Sequence, residues 1–217
     1  MRRGVFIILF SLAGMAQAER KLTVYAPAPF TRWLIGHIGG DSINIYSEIE
    51  PEIEYDLQIF LDSQSQDKNV ESARAAVFLG DGLPKLEIPD GLESLPENGI
   101  HSWLYLQNTL FMAVNLGDIL SELLPEKAET YYTAVSAFNR TIRLADFQIK
   151  KQLRSLETPL ILNQKQASTF FPYFLYYEID YRIADTPKPQ LDLDVLESGD
   201  APAAPFELIA NQLLNSE

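Results

Sequence analysis

Two periodicities organise the apolar positions of this chain, a strand-like pattern near its start and a helical one beyond its middle. Residues 22–26 are a short run of β-formers, broken by Pro27 and Pro29, and predict a buried strand. Residues 30–38 place Trp33, Leu34 and Ile38 on one side of a short helix, which Gly39 and Gly40 close. Residues 43–49 alternate apolar and polar and predict a second strand. An acidic loop follows through Glu50, Glu52, Glu54 and Asp56. A polar segment over 64–74 is predicted helical, and 75–79 reads as a third strand ended by Gly80 and Gly82. The β-α-β-α-β order implies a parallel sheet with helices on both faces.

Residues 83–99 hold Pro84, Pro89, Pro96, Gly91 and Gly99, and read as a linker or surface loop. A strongly apolar helix is predicted over 103–124, stopped by Pro125. The next helix carries the clearest signal in the chain. Apolar residues fall at 128, 131, 132, 135, 138, 142, 145, 149 and 153, spacings of three and four throughout. Lys150, Lys151 and Arg154 gather in its last turns, where they complement the helix dipole. Over 126–155 it spans about 45 Å at the α-helical rise, longer than a small lobe is wide. With no heptad partner, it predicts a bridge between two lobes. Beyond it, 159–162 and 181–184 read as strands, 168–177 as an aromatic helix and 206–214 as an amphipathic terminal helix, with a Pro- and Asp-rich loop over 187–205.

Composition narrows the function. The chain has 217 residues, 30 acidic against 17 basic, and a formal net charge of −13. Such a charge repels phosphate backbones, and no basic cluster offsets it, so nucleic acid is not an expected partner. Cysteine is absent, which removes disulfides, thiolate metal sites and thiol nucleophiles. Histidine occurs only at His37 and His101. No nucleophile elbow, phosphate-binding loop or dinucleotide fingerprint is present, so no enzyme activity is expected. Arg2 and Arg3, the short apolar run over 4–15 and Ala16-Gln17-Ala18 make a secretory signal, with cleavage expected after Ala18. Export without cysteine points to the periplasm, and the mature chain is expected to begin at Glu19.

The order of features resembles the periplasmic substrate-binding proteins of metal ABC transporters, the zinc and manganese receptors. HIGGDSINI (37–45) is similar to that family's helix-to-strand passage, and AAVFLGDGL (75–83) to the strand and Gly-rich turn that follow. The stretch 100–139, opening IHSWL and continuing through the Pro125 turn to Tyr131 and Tyr132, resembles the His-x-Trp-Leu motif and the start of the long backbone helix. STFFPYFLYYEI (168–179) resembles the segment that carries the third ligand. The resemblance implies a two-lobed α/β fold of parallel sheets joined by one long helix. The implied domains are a signal at 1–18, an N-terminal lobe at 19–99, a helical connection at 100–156 and a shortened C-terminal lobe at 157–217.

The resemblance also implies a divalent metal, zinc or manganese, held between the lobes for delivery to an inner-membrane ABC permease by a monomeric receptor. That family uses three histidines and one acid. Here His101 stands at the second histidine, Asp56 at the first and Ser168 at the third, so the metal site is degenerate, with His101 and Asp56 as its candidate ligands. Glu52, Glu54, Asp81 and Glu178 are further acids that an oxygen-rich site draws on. The other reading of Asp56 is a solvated loop acid, and of His101 a backbone-bonded interdomain residue. His37, beside a Gly-Gly stop, reads as structural, and the aromatic run over 170–177 as core. The alternative function keeps the fold without the metal, as an envelope scaffold that binds a protein partner.

Overall fold

The computed structural model describes residues 20–61, 73–83, 86, 92, 102–156, 159–185 and 204–215. Its first sheet is built from β1 (Leu22–Tyr25), β2 (Ile43–Tyr46), β3 (Leu57–Phe60) and β4 (Ala76–Phe78), all parallel, in the order β2-β1-β3-β4. Alternation along each strand divides its side chains between two faces. Leu22, Val24, Leu57 and Ile59 point into the main core, while Tyr25 and Phe60 join Tyr55 in a separate aromatic cluster on the other face. Apolar residues on both faces are the mark of a parallel sheet. Between β1 and β2 runs α1 (Pro29–Gly39), which starts on a proline preset for the first helical turn and buries Phe30, Leu34, Ile35 and Ile38. It stops where Gly40 takes φ 52°, a backbone that favours glycine.

The strand β3 is the one described strand that the pattern did not predict. All four of its residues are buried, so it shows no alternation, and four residues are too few for an apolar run to declare itself. It nevertheless sits in the middle of the sheet, between β1 and β4. The helix expected over 64–74 falls, as far as residue 72, outside the described residues, as does most of the linker expected over 83–99. At its far end Ala73 bridges to Tyr55, and the Arg74 N–H donates to the Tyr55 carbonyl.

The helix expected over 103–124 divides in two. A 3₁₀ turn, Ser102–Leu104, is followed by α2 (Leu106–Leu123), because Tyr105 is extended and the Thr109 hydroxyl donates to the Trp103 carbonyl at 2.6 Å. Pro125 opens a second 3₁₀ turn, and α3 (Ala128–Leu153) then runs 26 residues, about 39 Å. Its buried residues, from Tyr131 and Val135 to Ile149 and Leu153, all belong to the predicted stripe. Ala128 and Tyr132 are the exceptions, the first partly buried and the second half exposed. The helix packs on α1 and α2 along one part and on α5 (Ala204–Leu214) along another, as a bridge requires. A Cβ on Gly117 would lie 2.6 Å from Val135 Cγ2, so glycine is what lets α2 and α3 approach this closely.

The second sheet pairs β5 (Leu160–Leu162) with β6 (Tyr181–Ile183) in parallel, and α4 (Gln164–Tyr177) makes the crossover. This helix starts four residues before its predicted position at 168 because Asn163 caps it: its side chain accepts from the Gln166 N–H, and Gln166 reaches back to the Asn163 N–H. Tyr173 Oη donates to the Phe206 carbonyl at 3.0 Å, tying α4 to α5. One apolar core runs from Leu22 and Leu34 of the first sheet and helix to Tyr173 and Phe206 near the chain's end. The protein thus has the α/β fold of parallel sheets with two lobes and a long connecting helix.

Burial in α4 sets an alkaline limit on stability. Desolvation pushes the hydroxyls of Tyr173 and Tyr177 well above the usual tyrosine range, and the charge of Asp146 adds to the shift. The unfolded chain releases these protons from about pH 10, while the folded state keeps them. Stability is therefore complete below that pH and falls above it, by about 1.4 kcal/mol per pH unit for each such group. Urea midpoints across the alkaline range, read beside a tyrosinate absorbance titration, are expected to decline together with unfolded-state ionisation.

Candidate functional site

In open parallel sheets, ligands bind at the carboxyl edge of the strands. Here β1 leads at that edge into Ala26, Pro27 and the first turn of α1, and β4 into Leu79, Gly80 and Asp81. The 3₁₀ turn Ser102–Leu104 sits over the same edge. Trp103, almost fully buried, stacks on Phe30 of that first helical turn with ring centroids 4.5 Å apart and planes 14° from parallel. Its edge meets Phe206 at 6.3 Å. The turn also packs against α4, and the ring of Tyr105, directly after it, meets Tyr176 of the last turn of that helix edge-on at 5.1 Å. Residues 102–104 therefore lie over the carboxyl edge of the first sheet and against the crossover helix of the second. Ser168 lies in α4 with only 2% of its surface exposed.

The predicted ligand His101 directly precedes this turn in sequence and lies outside the described residues. The other, Asp56, stands at the opposite edge, immediately before β3. Its Oδ1 accepts from Arg20 Nη2 at 3.0 Å and lies 3.6 Å from Arg74 Nη1, and its Oδ2 accepts from the Thr23 N–H at 2.9 Å. The Asp56 N–H donates back to the Thr23 carbonyl at 2.8 Å. The carboxylate thus clamps the starts of β1 and β3 and pairs with two arginines. One strand length, about 13 Å for four residues, separates this edge from the carboxyl edge.

The remaining acids divide in the same way. Glu52 and Glu54 precede β3 with Asp56, and Glu178 ends α4 ahead of β6, so all three belong to amino edges. Asp81 alone of the acids considered lies at the carboxyl edge, exposed in the turn after β4. Among the described residues, no three His, Cys, Asp or Glu side chains gather as a metal cage. His37 lies against Trp33 at 5.3 Å and Phe138 at 5.8 Å, in keeping with its structural reading. The aromatic run is largely core, as expected, with Phe170, Phe171, Tyr173, Phe174 and Tyr177 buried.

Replacing Asp56 with asparagine is expected to cost about 1–2 kcal/mol. The bond to the Thr23 N–H is partly buried, whereas the arginines are more than half exposed and contribute little in salt. Urea unfolding at low and high ionic strength checks this: the difference between the proteins should narrow as salt screens the arginine pairs.

A polar cluster that the sequence did not announce lies between α3 and α4. Lys150 Nζ donates to Asp146 Oδ2 and to Tyr176 Oη, both at 3.2 Å, and Tyr176 Oη donates to Asp146 Oδ2 at 3.2 Å. The ammonium also sits 4.3 Å from the centre of the Tyr176 ring. Burial opposes the Lys150 charge, but these hydrogen bonds outweigh it and raise its pKa. The Asp146–Lys150 spacing of four residues was visible in the sequence; Tyr176, 30 positions from Asp146, was not.

No protein-family profile matches the chain, and no curated protein matches it in sequence. Solved structures do match its fold. The crystal structure of ZnuA superposes with a TM-score of 0.58 at 13% identity, over 75% of this chain and 71% of that one. The Zn(II)-bound ZnuA-like domain of Streptococcus pneumoniae AdcA gives 0.55 at 18% identity, over 79% and 70%. A Mn-bound periplasmic metal binding protein from Candidatus Liberibacter asiaticus gives 0.58 at 12% identity, over 91% and 86%. At these identities the likeness is one of fold.

Proposed function

We propose that this protein is a periplasmic solute-binding protein related to the receptors of metal ABC transporters. Exported and cleaved after Ala18, it carries a divalent metal of the zinc or manganese type between its lobes and delivers it to an inner-membrane permease. It performs no chemistry on the metal, which is its cargo. The observation that carries the reading is the turn that follows His101, held over the carboxyl edge of the first sheet and against α4 of the second, in a fold shared with zinc- and manganese-bound proteins. His101 is the principal ligand, and Asp81 is the acid on the same edge. Asp56 serves its two arginines in this reading, which leaves a site of few protein ligands completed by water. Such a shell suits an oxygen-tolerant ion better than a closed tetrahedral zinc site.

The fit is partial, and one observation favours the second reading, a metal-free scaffold that binds a protein partner in the envelope. The acid aligned with a family ligand is consumed as the counter-ion of Arg20 and Arg74. Calorimetric titration of zinc and manganese into the chelator-stripped mature chain separates the two. Saturable binding of one ion per chain supports the receptor, and the absence of heat from either ion supports the scaffold.

A further inference from the structure

The outer face of α3 has a charge opposite in sign to that of the protein. The chain's formal net charge is −13, yet residues 140–154 hold five basic side chains and one acid, Asp146. That acid is already engaged, since its Oδ2 accepts from Lys150 and Tyr176. Arg140, Arg143, Lys151 and Arg154 are exposed, and none of them forms an ion pair among the described residues. Along the chain these cations are diluted by other residues, so no basic cluster stands out. The helix gathers them. At about 100° per residue, all four fall within an arc of about 100° on the side away from the buried stripe, over about 21 Å of helix.

Leu144 and Phe147 lie in the same arc. They are 61% and 72% exposed, the two most exposed large apolar side chains among the described residues. Phe147 stands one turn from Arg143, Leu144 and Lys151, so the cations surround an apolar centre. The partner that fits combines negative charge with an apolar layer beneath it. A purely polar polyanion would leave Phe147 in water. An acidic protein would need a pocket shaped for a side chain that protrudes from a convex helix. A bilayer with anionic headgroups supplies both the charge and the apolar layer, and needs no matching shape.

We propose that the outer face of α3 docks the protein on an anionic phospholipid bilayer. Phe147 and Leu144 enter the interface, and Arg140, Arg143, Lys151 and Arg154 lie against the phosphates. The acidic remainder of the surface opposes this weakly, because charges more than about 8 Å apart are screened at physiological ionic strength. The contact uses no metal, so it holds or fails independently of the receptor function.

Cosedimentation of the mature chain with vesicles tests this, with chelator present to prevent bridging by metal. Binding to an equal mixture of phosphatidylglycerol and phosphatidylcholine is expected, falling as ionic strength rises, with none to phosphatidylcholine alone. Arg140→Glu combined with Lys151→Glu should abolish it, since each lost cation weakens binding about fivefold and each new acid adds repulsion. Lys21→Glu combined with Lys165→Glu makes the same change of net charge at exposed positions elsewhere, and should keep most of the binding. Phe147→Ser should weaken binding about fivefold or more at every ionic strength. All five positions are exposed, so the variants should fold as the parent does. Unchanged binding by Arg140→Glu with Lys151→Glu or by Phe147→Ser overturns the proposal, as does an equal loss in the Lys21 and Lys165 control. Absence of binding to the anionic vesicles also overturns it, and leaves the face to an acidic protein.

Discussion

Trp103→Ala is expected to destabilise the protein by about 3–5 kcal/mol, the range for truncating a large aromatic in a packed core. Only 3% of Trp103 is exposed, and its ring stacks on Phe30 and meets Phe206 edge-on, so alanine leaves a cavity between three parts of the chain. Neither neighbour collapses readily into that space. Phe30 is fixed by α1, and the carbonyl of Phe206 is held by the Tyr173 hydroxyl. Urea denaturation checks the value, with the midpoint falling and the slope unchanged if the native surface is otherwise preserved. The same change frees the turn Ser102–Leu104 from the carboxyl edge of the sheet. Any ligand held by the residue before that turn should therefore bind more weakly than the stability loss alone explains.

Phe206→Ala is expected to have a comparable effect, about 3–5 kcal/mol. Phe206 is fully buried near the start of α5, whose contacts with α3 tie the end of the chain to the bridge. The two aromatic rings touch, so their effects should not add. In the double variant the loss should fall short of the sum by about 0.5–1.5 kcal/mol, the measured scale of an aromatic pair. An additive result would mean that the contact between the Trp103 and Phe206 rings contributes nothing of its own.

The long helix was legible because its stripe repeats over seven turns, and no local feature competes with it. The same reasoning failed at β3, where a fully buried strand of four residues carries no period. It places the start of α4 too late because the first turn after the Asn163 cap is polar and carries no apolar period ahead of the aromatic run. The two-lobed parallel architecture followed from element order and from the family resemblance together. The site was harder to read. Motif alignment put Asp56 beside His101 in function, but strand polarity separates Asp56 from the turn that follows His101 by the length of the sheet. What occupies Asp56, Arg20 from before β1 and Arg74 from before β4, lies 36 and 18 positions away in sequence and becomes neighbouring only when the strands pair.

The most direct test of the metal-receptor account is thermal unfolding of the chelator-stripped mature chain, with and without zinc or manganese, beside His101→Ala and Asp56→Asn. A ligand that binds only the folded state raises stability by about 2.7 kcal/mol at a hundredfold excess over its Kd. The account predicts that one of these ions raises the midpoint, that His101→Ala abolishes the rise, and that Asp56→Asn lowers the starting midpoint but keeps the rise. An equal rise in His101→Ala, or no rise with either ion, would contradict it.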